Sequence, residues 1–286
     1  MNTTQDLQIK FDDSVQTFLE HAGELLYQQE AANSLMLGLC EGMLAQTPKT
    51  APLLIRMVEN NKTVSAAIQT PPMNLIITFS KQGHLRSLAD KLKEKEANFT
   101  GVVGPAVESE NFANLWEARS SKQKQLGMGQ KIYKIEQVDF PPNVPGEFAV
   151  IGKENGELFF EWVMAFAKEC LPPTDQRDEK QWREFTDRGL DKKTGHFWIV
   201  NGEPVAMAIT SRPTKHGVSI SGVYTPPRHR KKGYASAVVA HLSQKMLDSG
   251  KKFCVLYTDL SNPTSNKIYQ NVGYREVCDS KHFYFV

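Results

Sequence analysis

The chain has 286 residues, a formal net charge of +2 at pH 7 and the apolar content of an ordinary globular protein. This length predicts one large domain or two ordinary ones, and the balanced charge argues against a global basic or acidic field. The four cysteines are scattered without C-x-x-C spacing, so the sequence predicts neither a zinc site nor a redox motif, and we expect no metal.

Neither a targeting signal nor a membrane anchor is predicted. Residues 1–13 lack the apolar core of a signal peptide, and no apolar run approaches the length of a membrane span. We therefore expect a cytoplasmic protein that does not associate with membranes.

The first half of the chain reads as helices, then a small sheet, then alternating elements. Apolar residues recur at helical spacing through residues 1–50, after a capping segment at residues 12–14. Short apolar runs separated by turn residues follow over residues 53–79, a pattern typical of an antiparallel meander. The remainder predicts helix, strand, helix and strand over residues 85–92, 99–103, 108–120 and 130–138.

The second half repeats this order after a proline-rich boundary at residues 139–146. The strand-turn-strand of residues 58–68 resembles that of residues 200–209, so the pattern indicates an internal duplication. We therefore predict two domains, residues 1–140 and residues 141–286. The chain is predicted to close with a hairpin formed by residues 274–277 and 282–286.

A basic, glycine-containing loop joins the strand predicted over residues 218–224 to an amphipathic helix. The first turn of a helix leaves backbone N–H donors unpaired at the positive end of its dipole, which suits such a turn to phosphate. Gly233 allows the backbone to approach a ligand closely. Read alone, the charged run of residues 228–232 is typical of a solvated loop, but the strand before it and the helix after it favour phosphate binding.

This loop resembles motif A of the GNAT N-acetyltransferases, R/Q-x-x-G-x-G/A, with Arg230, Gly233 and Ala235 at the three defined positions. In that family the loop holds the pyrophosphate of acetyl-CoA. The resemblance therefore implies acetyl-CoA as co-substrate, contacted by Val223, Tyr224, Thr225, Arg230, Lys231, Lys232, Gly233, Tyr234, Ala235 and Ser236.

A second motif, at residues 262–274, brings an amide, a hydroxyl and a phenol to one face of a predicted helix. Its spacing resembles the GNAT pattern N-x-x-[SA]-x-x-x-Y-x-x-x-G-[FY]. The resemblance implies that Asn262 and Ser265 contact the cofactor and that Tyr269 protonates the departing CoA thiolate. A phenol suits that role because its ordinary pKa of about 10 is near that of a thiol.

The resemblance also implies the fold and the reaction. The fold is an α/β fold of two tandem GNAT-like domains, in which helices flank a central, mostly antiparallel mixed sheet. The N-terminal domain is expected to be a degenerate copy without cofactor, because residues 80–84 lack a basic motif. The reaction is direct acetyl transfer to a small-molecule or protein amine in a ternary complex, with backbone N–H groups near residues 223–225 stabilising the oxyanion.

Several points stay open at the level of sequence. The strand at residues 218–223 contains no glutamate, so no general base is assigned, and neither the acceptor, the acyl length nor the oligomeric state is specified. Phe166 and Trp182 read first as core residues and secondly as substrate contacts. A non-catalytic acetyl-CoA sensor is the main alternative. A nucleic-acid module using residues 228–232 is weaker because interleaved aromatic residues are missing, and we expect no nucleic-acid partner.

Overall fold

The computed structural model describes residues 7–172 and 177–286, which form two compact units. The first unit comprises the described residues up to Ile132 together with Asp259–Ser261 and Val277–Val286. The second comprises the described residues of Tyr133–Thr258 and Asn262–Glu276. No helix in the described ranges is both long and apolar enough to cross a membrane.

The first part of the chain confirms the predicted helices, meander and alternation, and adds one strand that was missed. The missed strand, β1, is a short segment that pairs antiparallel with β2 and lies in the region predicted to be helical. The elements in order are β1 Gln8–Phe11, α1 Val15–Gln28, α2 Ser34–Ala45, β2 Leu53–Glu59, β3 Lys62–Gln69, β4 Leu75–Ile77, α3 Gln82–Glu94, β5 Gly101–Pro105, α4 Ala106–Glu117 and β6 Lys124–Ile135.

The second part of the chain runs through the same order of elements. Short 3₁₀ turns at Lys153–Asn155 and Pro227–His229 precede two of the helices. The elements are β7 Glu147–Val150, α5 Gly156–Cys170, α6 Glu179–Asp191, β8 Gly195–Val200, β9 Glu203–Ser211, β10 Gly217–Tyr224, α7 Tyr234–Asp248, β11 Phe253–Asp259, α8 Pro263–Val272 and β12 Arg275–Phe285.

The hairpin predicted at the end of the chain is wrong, because residues 275–285 form the single strand β12. The polar residues between the two apolar runs indicated a turn. They instead continue an antiparallel register with β5, in which Ser280 lies opposite Pro105 and Phe283 opposite Val102. The last strand of the chain therefore completes the sheet of the first unit, which no local pattern could reveal.

The two units have matching sheet topologies. In the first, β1 to β4 pair antiparallel in sequence order and β4 pairs parallel with β5. In the second, β7 to β10 pair antiparallel in sequence order and β10 pairs parallel with β11. The predicted α/β class, a mostly antiparallel mixed sheet flanked by helices, is confirmed.

In the second unit the sheet is buried on both faces. Val218 and Ile220 of β10 pack with α7 and α8, and Tyr133 and Ile135 of β6 join the same core. On the opposite face a second core joins α5 and α6 to residues of β8 and β9, and Tyr224 also belongs to it. The alternation of side chains along β10 thus presents one set of residues to α7 and the other to α5 and α6.

Because two histidines are buried, we expect the folded protein to lose stability at acid pH. His196 is 1% and His282 5% exposed, and burial lowers the pKa of each to about 4. For His196 the neighbouring Lys245, whose Nζ lies 2.9 Å from Nε2, contributes second. In the unfolded chain each histidine has an ordinary pKa near 6.5 and binds a proton more readily. The contribution of each buried histidine to the free energy of unfolding is therefore complete above pH 6.5 and is lost as the pH falls from 6.5 towards 4.

We expect the free energy of unfolding to fall by up to about 2 kcal/mol per histidine between pH 7 and pH 5. Urea unfolding followed at both pH values measures this loss. The His282→Gln variant cannot take up the proton, so it should lose less stability between the two pH values than the parent protein. His21→Gln, at an exposed position, serves as the control. An identical pH dependence in the parent and His282→Gln proteins would contradict the assignment.

Candidate active site

The strand β10 departs from regular pairing close to its end. Its register with β9 shifts between Ser221 and Tyr224, where Gly222 has a positive φ of +56°. The parallel register with β11 runs only from Gly217 to Ser219. Beyond that point the β11-facing backbone groups of β10 are left without ladder partners, so they can donate hydrogen bonds to a ligand.

The loop after β10 ends in a helix N-terminus that no side chain caps. Gly233 is the N-cap residue of α7, with φ at +81°, and makes no side-chain cap hydrogen bond. The N–H of Ala237 donates to the Gly233 carbonyl at 3.0 Å, so the N–H groups of the three preceding residues have no acceptor within the helix. This first turn therefore leaves backbone donors available to an anion, as the predicted phosphate site requires.

Two features favour glycine at position 233, its left-handed backbone and the closeness of Val144. A Cβ added there would lie 3.0 Å from Cγ2 of Val144. Lys231, two residues earlier, also has a left-handed backbone with φ at +64°. Lys231 and Lys232 are exposed, Ala235 and Ser236 are half-buried, and the Tyr234 side chain packs into the core.

The Arg230 side chain is held by the protein rather than pointing freely at the loop. Its Nε donates to the Thr225 carbonyl at 2.9 Å, and its Nη2 donates to Oε2 of Glu169 at 2.6 Å. Arg228 similarly donates to Oε1 of Glu203 at 3.2 Å. The guanidinium of Arg230 thus shapes the loop, and the donors left free in the first turn of α7 are backbone N–H groups.

Glu169 is a residue that sequence reasoning missed. It lies near the end of α5 and accepts hydrogen bonds from Arg230 and, at 3.3 Å, from the Tyr224 hydroxyl. Burial, and next the charge of Glu169, raise the pKa of Tyr224. Because Glu169 and Arg230 are far apart in sequence, no spacing could have signalled the pair. The carboxylate ties α5 to β10 and to the loop.

Tyr269 lies on α8 and is 8% exposed, with its ring 6.0 Å from that of Tyr274 in an edge-on arrangement. Burial raises the pKa of Tyr269 well above that of a free phenol, and Cys170 at the end of α5 adds to the shift. The phenol therefore keeps its proton at neutral pH. Cys170 directly follows Glu169, so Tyr269 and the Arg230 loop approach the same end of α5.

Asn262 also has a structural task. Its side chain caps α8, because Oδ1 accepts from the Ser265 N–H at 3.1 Å, and its carbonyl accepts from Nδ2 of Asn266 at 2.8 Å. Asn262 is exposed and Ser265 half-buried. Their contacts with a cofactor stay predictions.

The remaining predicted residues distribute over both faces of the sheet. Val223 packs against the core on the α7 side, and the Thr225 Oγ1 is buried without a hydrogen-bond partner among the described residues. Phe166 is half-buried and Trp182 6% exposed, both in the core under α5 and α6. Their roles as substrate contacts stay predictions.

The corresponding turn of the first unit differs. Only residues 78–81 separate β4 from α3, whereas residues 225–233 separate β10 from α7. Near this turn His84, 4% exposed, lies with Nε2 2.8 Å from Oε1 of Glu59, which also pairs with Lys81 at 3.5 Å. A short turn beside a carboxylate offers no comparable anion site.

The first unit holds a cavity of about 570 Å³, where β2 begins and β3 ends. Phe11, Leu53, Pro72 and Lys95 are among its lining residues. It lies at the end of the sheet opposite to the β4–α3 turn, so it does not correspond to the α7 loop. Within residues 7–172 and 177–286, no group of three or more His, Cys, Asp or Glu side chains is arranged to hold a metal ion.

Residues 156–274 match the acetyltransferase (GNAT) family, whereas no curated protein matches the chain in sequence. A Drosophila protein of known structure is similar over 99% of this chain and 99% of its own, with a TM-score of 0.66 at 10% identity. A GCN5-related N-acetyltransferase from Sphaerobacter thermophilus is similar over 98% and 95%, with a TM-score of 0.61 at 13% identity. A tandem GNAT protein from the clavulanic acid biosynthesis pathway is similar over 98% of both chains, with a TM-score of 0.55 at 10% identity.

At these identities the structural likeness is one of fold. The family match is a separate finding, and it spans both the α7 loop and α8. It runs from the first residue of α5 to Tyr274, so it includes every element that builds the candidate site. By this match, residues 156–274 form a domain of the acetyltransferase (GNAT) family.

Proposed function

We propose that the protein is an N-acetyltransferase that transfers the acetyl group of acetyl-CoA directly to an amine. One observation carries the proposal: the uncapped first turn of α7, which follows the left-handed Gly233. The family's general acyl-transfer chemistry supports it. We further propose residues 141–286 as the catalytic half and residues 1–140 as a half without cofactor.

The residues of the loop fit the pyrophosphate of acetyl-CoA. Backbone N–H groups of Tyr234, Ala235 and Ser236 would donate to its oxygens, and the exposed Lys231 and Lys232 would add charge. The absence of a Cβ at Gly233 leaves room for close approach. Acetyl-CoA would supply an activated acetyl thioester to the cleft between β10 and β11.

The chain's own groups would then serve each part of the transfer. Backbone N–H groups at residues 223–225 would stabilise the negative charge that develops on the carbonyl oxygen. The neutral amine forms the new C–N bond and loses its proton to solvent, while the C–S bond breaks. Tyr269, which holds its proton at neutral pH, would donate it to the leaving sulfur.

Calorimetric titration with acetyl-CoA, followed by thiol release in the presence of amines, tests the proposal. We expect one acetyl-CoA per chain and amine-dependent release of CoA. The alternative of an acetyl-CoA sensor, favoured by the lack of a carboxylate on β10, predicts the same binding without turnover. Absence of acetyl-CoA binding would contradict both functions.

A further inference from the structure

Arg212, directly after β9, is a half-buried cation. Its φ is +44°, which turns the chain out of the strand, and its Nε is buried without a hydrogen-bond acceptor in the described parts of the chain. Its Cζ lies 5.8 Å from the centroid of the Tyr257 ring. Burial lowers the pKa of Arg212, and the positive charge of Arg177 lowers it further. Arginine nevertheless stays protonated at neutral pH, so the charge persists.

The position of Arg212 relates it to the candidate site. Ser211, the residue before it, lies opposite Ser219, where the parallel register of β10 with β11 ends. The Ser211 and Ser221 hydroxyls are 3.0 Å apart. Tyr257 lies two residues beyond Val255, the last residue of β11 in that register. The backbone of Arg212 thus lies level with the part of β10 that pairs with β11, and its side chain reaches the Tyr257 ring, which lies beyond that pairing.

Arg212 lies on the face of the sheet covered by α5 and α6. Arg177, whose charge acts on it, lies with Cζ 4.9 Å from the Trp182 ring of α6. Two further buried groups on this side lack hydrogen-bond partners within the described structure, the Trp182 Nε1 and the Ser219 Oγ. A half-buried charge with a buried, unpaired Nε beside a second cation is unfavourable by itself, and an anionic ligand would remove that penalty.

We infer that the acetyl acceptor is an amine that also carries a carboxylate, and that Arg212 binds this carboxylate. The inference rests on the proposed N-acetyltransferase function. A guanidinium presents parallel N–H donors that match the two oxygens of a carboxylate. The Trp182 Nε1 and the Ser219 hydroxyl are additional donors on the same face. The charges of Arg212 and Arg177 also oppose a second ammonium group, so diamines are poor acceptors.

Matched acceptors that differ in one group test this inference. The set is 4-aminobutyrate, butylamine and 1,4-diaminobutane, with 4-(aminomethyl)benzoate and benzylamine as a longer pair. We expect the carboxylated member of at least one pair to exceed its plain amine in kcat/KM by roughly thirtyfold, the lower end of the effect of a buried charge partner. The diamine should be the slowest acceptor in its set.

In the Arg212→Met variant, the ratio of kcat/KM for the carboxylated amine to kcat/KM for the plain amine should fall close to one. Arg212→Lys should keep part of the parent ratio. Arg188→Met, at an exposed position on α6, removes a charge elsewhere and should keep the ratio. Melting temperatures and acetyl-CoA affinities are measured for each variant, so that a folding defect is recognised. A parent ratio near one, or a ratio retained in a folded Arg212→Met protein, overturns the inference.

A binding measurement covers the case in which no acceptor of the set is turned over. The CoA-saturated protein is titrated with 4-acetamidobutyrate and with the corresponding neutral amide, and thermal shifts are compared. We expect a shift from the carboxylate alone, lost in Arg212→Met. Equal behaviour of the two probes overturns the inference while acetyl-CoA binding still stands. Loss of acetyl-CoA binding in the parent protein would instead show that the proposed function itself has failed.

Discussion

Replacing Gly233 by glutamate is expected to weaken acetyl-CoA binding at least about a hundredfold. Gly233 has φ at +81°, and a Cβ there would lie 3.0 Å from Val144. A left-handed non-glycine residue costs roughly 1–2 kcal/mol, so the loop would be pushed out of shape. The added carboxylate would also repel a pyrophosphate at the N-terminus of α7. Calorimetric titration of the variant with acetyl-CoA measures the effect.

Gly250→Glu is the matched control. Gly250 also has a left-handed backbone, with φ at +97°, but nothing lies within 4 Å of an added Cβ. It follows the C-terminal end of α7 in the same unit, so the substitution carries similar strain and the same charge away from the loop. We expect its acetyl-CoA affinity to equal that of the parent protein. Equal losses in the two variants would mean that the loop is not the binding site.

Replacing Tyr269 by phenylalanine is expected to lower kcat by about 10²-fold or more while acetyl-CoA affinity stays unchanged. The variant keeps the buried ring and removes only the hydroxyl. That hydroxyl carries a proton held by burial, and it is close enough to Cys170, at the end of α5, for that residue to raise its pKa. Steady-state thiol release with a saturating amine gives kcat, and titration gives the affinity.

Tyr274→Phe is the control for the loss of a buried phenol. The Tyr274 side chain is fully buried, and its hydroxyl lies 2.8 Å from Oγ of Ser243, so its hydrogen bond is structural. Its loss should reduce stability by about 1 kcal/mol and leave kcat near the parent value. If Tyr269→Phe kept the parent kcat, the phenol would not be the acid of the reaction.

Local patterns were sufficient for the elements that carry the candidate site. The helix predicted within residues 262–274 is confirmed as α8, with Asn262 as N-cap and Gly273 left-handed at +108°. The strand-loop-helix around Gly233 is confirmed as well. These features depend on residues a few positions apart, which is the range over which capping, turns and helical spacing act.

Features that depend on distant residues could not be predicted in this way. β12 forms one strand because it pairs with β5, although its middle residues are polar. Glu169 meets Arg230 only because the fold brings the end of α5 to the loop. Arg212 is a charged residue at the end of a strand, a position that predicts exposure, and only the packed structure reveals its buried Nε. Such contacts have no signature in local spacing.

The comparison of the two halves of the chain draws on both the sequence and the structure. The sequence indicates a duplication, and the matching order of strands in the two units agrees with it. The short β4–α3 turn beside Glu59 supports the expectation that only the second unit carries an anion site for acetyl-CoA. We therefore expect a binding stoichiometry of one per chain rather than two.

A crystal structure of the complex with CoA would locate the diphosphate and the sulfur together. We expect diphosphate oxygens within hydrogen-bond distance of the backbone N–H groups of Tyr234, Ala235 or Ser236, and the CoA sulfur next to the Tyr269 hydroxyl. Diphosphate bound in the cavity of the first unit beside Lys95, or a sulfur remote from Tyr269, would contradict this expectation.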